Sequence, residues 1–172
     1  MDGKFMKNKN NIYFALAVLI IVILFISSSE TYKQQTSVPF LEKYLANKPF
    51  ENWLSNVSFS YAGQVESVQQ VGYFKFVEFF IRKAAHFMTY FLMAGFIFLG
   101  LKNRIKKWRY SGFIAIACAA IYASFDEFHQ SLTGGRSPLV QDVILDTIGA
   151  TAGVLLTILI VTLYHRRKTR KN

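Results

Sequence analysis

Four apolar runs of near-membrane length, residues 12–28, 84–101, 111–125 and 143–164, decide what this chain can fold into. As a helix rising 1.5 Å per residue, the last and longest would extend roughly 33 Å, enough to cross a hydrocarbon core of about 30 Å. The first and third have shorter strictly apolar stretches, so their small or amphipathic flanks must sit in the headgroup region. Inside a bilayer each backbone N–H and C=O has to be bonded within the protein, which for runs of this length means helices. The expected fold is therefore all-α, a polytopic four-transmembrane-helix bundle forming one domain over 1–172, with a short amphipathic external segment at about 29–81. Composition agrees, because 52% of the 172 residues are hydrophobic and 16% aromatic, more than a water-soluble domain of this size carries.

Basic residues set the expected orientation. Lys4, Lys7 and Lys9 precede the first run, Lys102, Arg104, Lys106, Lys107 and Arg109 fill the second connection, and Arg166, Arg167, Lys168, Arg170 and Lys171 follow the fourth run. By the positive-inside rule these clusters face the cytoplasm, as do both termini. Topology thus accounts for the net charge of +10. The cations do not interleave with stacking aromatics along a groove, so no nucleic-acid partner is expected. Arg82 and Lys83 break the rule, because they fall on the opposite side. A pair of cations at the outer mouth of a span needs a local reason, either a carboxylate partner or an anionic headgroup. The first run also has features of a secretory signal, with lysines before it and Ser27-Ser28-Ser29 after it. It is read as an uncleaved span, since no alanine pair marks a cleavage site. The single cysteine, Cys118, excludes an internal disulfide and any multi-cysteine metal site.

In the external segment, Phe40, Leu41, Tyr44 and Leu45 recur at helical spacing after Pro39, and Phe50, Trp53, Leu54 and Val57 do so after Pro49. Short helices result, either lying on the outer leaflet with Trp53 at headgroup depth or capping the bundle. Residues 60–72 are polar, with two glycines and three glutamines, and read as a loop.

The candidate chemistry lies where ionisable residues interrupt the apolar runs. A carboxylate near the centre of a membrane helix costs roughly 2.5–3.5 kcal/mol, so such residues mark function by default. Arg82, His86 and Tyr90 are spaced four apart and form one stripe; Asp126, Glu127, His129 and Gln130 close the third helix; Asp142 and Asp146 share a face of the fourth with Gly149 and Gly153. With Arg136 in the last connection, these residues are expected to line one outward-facing polar pocket, with Arg82 or Arg136 paired to Asp126, Glu127, Asp142 or Asp146. Several uses stay open: a structural ion-pair lock, acid–base chemistry on a headgroup by Asp126, Glu127 and His129, or noncovalent binding of an amphiphile. A metal site from His86, His129 and carboxylates is the least favoured, since there is no helical His-x-x-x-His and no cysteine pair. No metal and no cofactor is expected.

The order Arg82-Lys83-x-x-His86-Phe87-x-x-Tyr90, Asp126-Glu127-x-His129-Gln130, Gly135-Arg136-Ser137, Asp142-Val143 and Asp146-x-x-Gly149-Ala150-x-x-Gly153, with a basic loop before the third span, resembles the VanZ-like membrane-protein family. Ser27-Ser28-Ser29 is similar to a serine group of that family, while Thr89 and Glu30 depart from its pattern, where an acidic residue and a glutamine are frequent. The resemblance covers nearly the whole chain. It implies a multi-pass protein of the bacterial cell membrane associated with reduced susceptibility to teicoplanin and related lipid-tailed glycopeptide antibiotics. The partners implied are the lipid bilayer and either such an antibiotic or a cell-wall lipid precursor. An acyltransferase-like name carried by some relatives, butyryl phosphate transfer, finds no glycine-rich phosphate cradle here.

Overall fold

The computed structural model describes residues 2–133 and 138–169, and Arg136 lies outside them. The elements in chain order are α1 (Asp2–Ser28), α2 (Tyr32–Gln35), α3 (Val38–Tyr44), α4 (Glu51–Leu54), β1 (Ser58–Tyr61), β2 (Gln64–Ser67), α5 (Val68–Val71), α6 (Tyr73–Leu101), α7 (Trp108–Leu132) and α8 (Val140–Thr169). Four of these helices, α1, α6, α7 and α8, are long and apolar enough to cross a membrane. The chain is an all-α polytopic membrane bundle.

Small residues decide how the long helices approach. Ala115, Ala119 and Ala123 make a fully buried stripe on α7, and Ala150 and Val154 meet it from α8, around Tyr90, Met93, Ala94 and Phe98 of α6. Gly149 and Gly153 of α8 lie directly under the backbone carbonyls of Phe87 and Phe91 on α6, and a Cβ on Gly149 would fall 2.5 Å from the Phe87 oxygen. Without a hydrophobic drive between helices in lipid, such close backbone packing is what holds them together. The large side chains turn outward, as Phe113 at 72% and Ile121 at 70% exposure show. The hydroxyls of Thr147, Thr151 and Thr157 donate to carbonyls one turn back at 2.7–2.8 Å, so α8 carries polar residues without unbonded donors there. At one end of the bundle Asn10 and Asn11 bond to Asn103 and Arg104. At the other, Thr133 donates to the Ser28 carbonyl at 3.0 Å, and the segment from α2 to α5 joins α1 to α6.

Two of the differences from the sequence reading bear on the site. α6 begins at Tyr73 rather than near residue 84, because Lys75, Glu78, Arg82 and Lys83 interrupt the apolar run without interrupting the helix. The stretch read as a loop at residues 60–72 contains an antiparallel hairpin, Ser58 pairing with Ser67 and Tyr61 with Gln64. Its two-residue turn is Ala62-Gly63, with φ of 51° and 80°, the left-handed pair that suits a tight hairpin. An isolated two-stranded hairpin is marginal. Here Phe59 stands 5.7–6.3 Å from the rings of Phe76, Phe79 and Phe80, and Tyr61 stands edge-on to Phe79 at 5.2 Å. Aromatic pairs of this kind add roughly 0.5–1.5 kcal/mol each beyond their buried area, which anchors the hairpin on α6.

The proline-led helices are present as α3 and α4, the latter only one turn long. Leu41 is buried against the bundle, whereas Phe40, Tyr44 and Trp53 are more than 60% exposed.

Candidate functional site

A cavity of about 540 Å³ opens at the hairpin end of the bundle. Its walls come from the segment after α1 (Tyr32), from the hairpin (Tyr61, Gln64, Glu66), from α6 (Lys75, Glu78, Phe79, Arg82, Lys83), and from Glu127, Gln130, Leu139 and Asp142. The start of α6 contributes so many walls because Lys75, Glu78 and Arg82 recur at helical spacing on one face. Three of the four charges that break its apolar run thus share one stripe along the cavity wall.

The strongest contact joins three elements. Lys83 Nζ lies 2.5 and 2.6 Å from the two carboxylate oxygens of Asp142. The Tyr61 hydroxyl donates to the same carboxylate, and the ammonium stands 4.8 Å from the centre of the Tyr61 ring. This Lys83–Asp142–Tyr61 cluster ties the hairpin to α6 and α8. The expected pairing of Arg82 with a carboxylate is therefore corrected to Lys83: one residue further on turns the side chain by about 100° toward α8. Arg82 instead lies over the Tyr32 ring, 5.4 Å from its centre. Burial, then the bond to Asp142, raises the Tyr61 phenol above its ordinary value of 10.0. Its contribution to the closed hairpin is therefore full below about pH 10 and is lost as pH rises further. In a difference titration of phenolate absorbance, wild type minus Tyr61→Phe, the Tyr61 signal is expected to rise later than that of tyrosine in the denatured chain. A normal titration would mean the hairpin is not closed.

One helical turn deeper, the donors and acceptors no longer balance. His86 Nδ1 is 3.5 Å from Asp146 Oδ2, and the His86 and Tyr90 rings stack at 6.5 Å. Gln130 donates to Asp126 Oδ2 at 3.0 Å. Among the described residues, Asp126 Oδ1, Asp146 Oδ1 and the Tyr90 hydroxyl have no hydrogen-bond partner, and all three residues are at most 1% exposed. Buried polar atoms are nearly always bonded, so three orphans in one layer mark a place the fold does not complete by itself. Glu127 is better served, accepting from the Leu139 backbone N–H at 2.9 Å.

Of the residues singled out in the sequence, Arg82, Glu127, Gln130 and Asp142 thus line the cavity. His86, Tyr90, Asp126 and Asp146 form the layer beneath it. His129 points elsewhere: its Nδ1 is 2.9 Å from the Ser28 hydroxyl and its ring stacks on Phe25 at 4.7 Å, which fastens α7 to α1. Ser28 also donates to the Phe25 carbonyl and is 2% exposed. The sequence profile of VanZ/LLP1 matches residues 13–161. The chain belongs to the VanZ/LLP1 family. Comparison with curated protein sequences and with solved structures finds no match.

For this VanZ/LLP1 protein, the sequence passed over most walls of the cavity, among them Lys83 as the partner of Asp142 and the side chains of Tyr61, Tyr32, Lys75 and Glu78. Lys83 had a signal in its breach of the positive-inside rule. Tyr61 had none, since its place depends on a hairpin formed by a polar stretch. Among the described residues no group of three or more His, Cys, Asp and Glu side chains is arranged to hold a metal ion. The site can pair charges, stack rings and hydrogen-bond a headgroup-sized ligand.

Proposed function

We propose that this protein lowers bacterial susceptibility to teicoplanin-type lipid-tailed glycopeptides by holding an amphiphile noncovalently in the cavity at the hairpin end. The observation that carries this reading is the cavity itself, about 540 Å³ with aromatic and charged walls, above a layer in which Asp126 and Asp146 each keep one buried oxygen without a hydrogen bond. Ligand pockets commonly measure about 300–1,000 Å³. One of this size suits a headgroup or a tail, not an entire glycopeptide. With both termini in the cytoplasm, as the basic clusters argue, the cavity opens outward, where such antibiotics meet cell-wall lipid precursors.

An enzymatic reading draws on Asp126, Glu127 and the contact between Ser28 and His129. It requires a reactive group within reach of substrate, and Ser28 is 2% exposed and outside the cavity walls. Lipid mass spectra and antibiotic susceptibility of cells with and without the chain separate the two. Altered susceptibility with an unchanged lipid profile is expected. A new lipid mass that disappears in Asp126→Asn and His129→Gln variants would replace binding with catalysis.

A further inference from the structure

We infer that the mouth of this cavity binds the phosphate of a phosphodiester headgroup, with Arg82 and Lys75 as its ligands, a proposal that rests on reading the cavity as an amphiphile site. The starting point is the pair of cations that breaks the positive-inside rule. Two local reasons could keep them there, a carboxylate partner or an anionic headgroup. For Lys83 the reason is the carboxylate, since Asp142 lies 2.5 Å away. Arg82 has no such partner, because no carboxylate comes within ion-pair distance of it among the described residues.

The nearest acid on its own helix, Glu78, is already occupied. It accepts from the Tyr32 hydroxyl at 3.2 Å, the Thr36 hydroxyl at 2.9 Å, the Ser37 backbone N–H at 2.5 Å and the Ser37 hydroxyl at 3.3 Å. Hydrogen bonds from segment 32–37 thus hold its carboxylate oxygens, and it makes no ion pair with Arg82. Lys75, two turns back on the same face of α6, lines the same cavity and likewise makes no ion pair among the described residues. Two cations without an ion pair among the described residues therefore share one mouth at the end of a membrane span, where lipid phosphates lie.

Arg82 lies over the Tyr32 ring, 5.4 Å from its centre, and a guanidinium has the planar fork that grips phosphate oxygens two at a time. Glu66 and Glu127 also line the cavity, and Glu127 already holds the Leu139 N–H. Carboxylates in the same walls disfavour a bare anion. They suit a headgroup that carries hydroxyl or amine donors beyond its phosphate, as a phosphodiester lipid does. Tyr32, Tyr61, Phe79 and Val71 supply apolar wall area for the rest of the amphiphile.

The test is calorimetric titration of the full chain, purified in a maltoside detergent without phosphate, with dihexanoylphosphatidylglycerol, inorganic phosphate and dodecyltrimethylammonium. Saturable binding of the phospholipid is expected, weakened about tenfold by Arg82→Gln and about tenfold by Lys75→Gln, as loss of one charge-assisted contact implies. Lys75 is exposed, so its variant decides the matter even where Arg82→Gln folds poorly. Competition by inorganic phosphate at similar affinity would support free phosphate as the source, and failure to compete supports a lipid headgroup. Equal phospholipid binding by the Arg82→Gln/Lys75→Gln variant and wild type overturns the assignment. So does binding of the ammonium amphiphile alone, which would leave the amphiphile site standing. If neither amphiphile binds, the reading of the cavity falls with it.

Discussion

Replacing Gly153 with leucine is expected to remove nearly all folded protein. A Cβ at Gly153 falls onto the backbone carbonyl of Phe91, and one at Gly149 onto that of Phe87. Backbone cannot rotate aside as a side chain can, so α6 and α8 must separate. That separation undoes the packing of Tyr90, Ala94 and Val154 and exposes the His86–Asp146 pair. Overpacking costs about 1–3 kcal/mol where side chains can adjust. With a rigid neighbour the cost is at least about 3 kcal/mol, a large share of the total stability of an ordinary domain. Gly95 gives the contrast. Its Cβ would meet the Thr157 hydroxyl at 3.1 Å, a side-chain atom able to shift. In size-exclusion profiles of detergent-solubilised fluorescent fusions, Gly153→Leu should lose the monodisperse peak and Gly95→Ala should keep it. Identical peaks with equal melting points would mean the two helices are not held by close backbone contact.

The second large effect is expected from Lys83→Met. It leaves the Asp142 carboxylate with the Tyr61 hydroxyl and no cation, at a position where the two side chains are only 20% and 16% exposed. Removing one member of a buried pair costs about 3–5 kcal/mol, and the remaining solvent contact puts this case near 3 kcal/mol. For a chain of this length that corresponds to a fall in melting temperature on the order of 10 °C. The double variant Lys83→Met/Asp142→Leu should recover most of the loss, because apolar substitutes for a buried pair are often neutral. A double variant no more stable than the single one would show that Lys83 acts through its stem and not through its charge.

The four spans were legible because apolar length is a strong signal and lipid admits few backbone solutions. The first turns of α6 were not legible. Lys75, Glu78, Arg82 and Lys83 have the composition of a membrane boundary, and only the cavity shows why helix and charge coexist there. The hairpin was hidden for a different reason. Its register rests on Phe59 and Tyr61 meeting the aromatic face of α6, a tertiary contact with no local trace beyond Ala62-Gly63. The deeper layer of the candidate site, His86 with Asp146 and Asp126 with Gln130, could be read because spacing by four on a helix fixes a common face. His129 shares that spacing less well, and the structure turns it toward Ser28. The exchange of Arg82 for Lys83 as the partner of Asp142 depends on the rotation of α6 about its axis, which periodicity alone gives only to within a residue.

The account depends on the cavity facing out of the cell, and one labelling experiment addresses that directly. In a Cys118→Ala background, Gln69→Cys places a thiol at the hairpin end and Lys106→Cys places one in the basic connection between α6 and α7. A membrane-impermeant maleimide applied to intact cells should label Gln69→Cys and leave Lys106→Cys unlabelled until the cells are opened. The reverse pattern would put the cavity on the cytoplasmic side and contradict the proposed action at the outer leaflet.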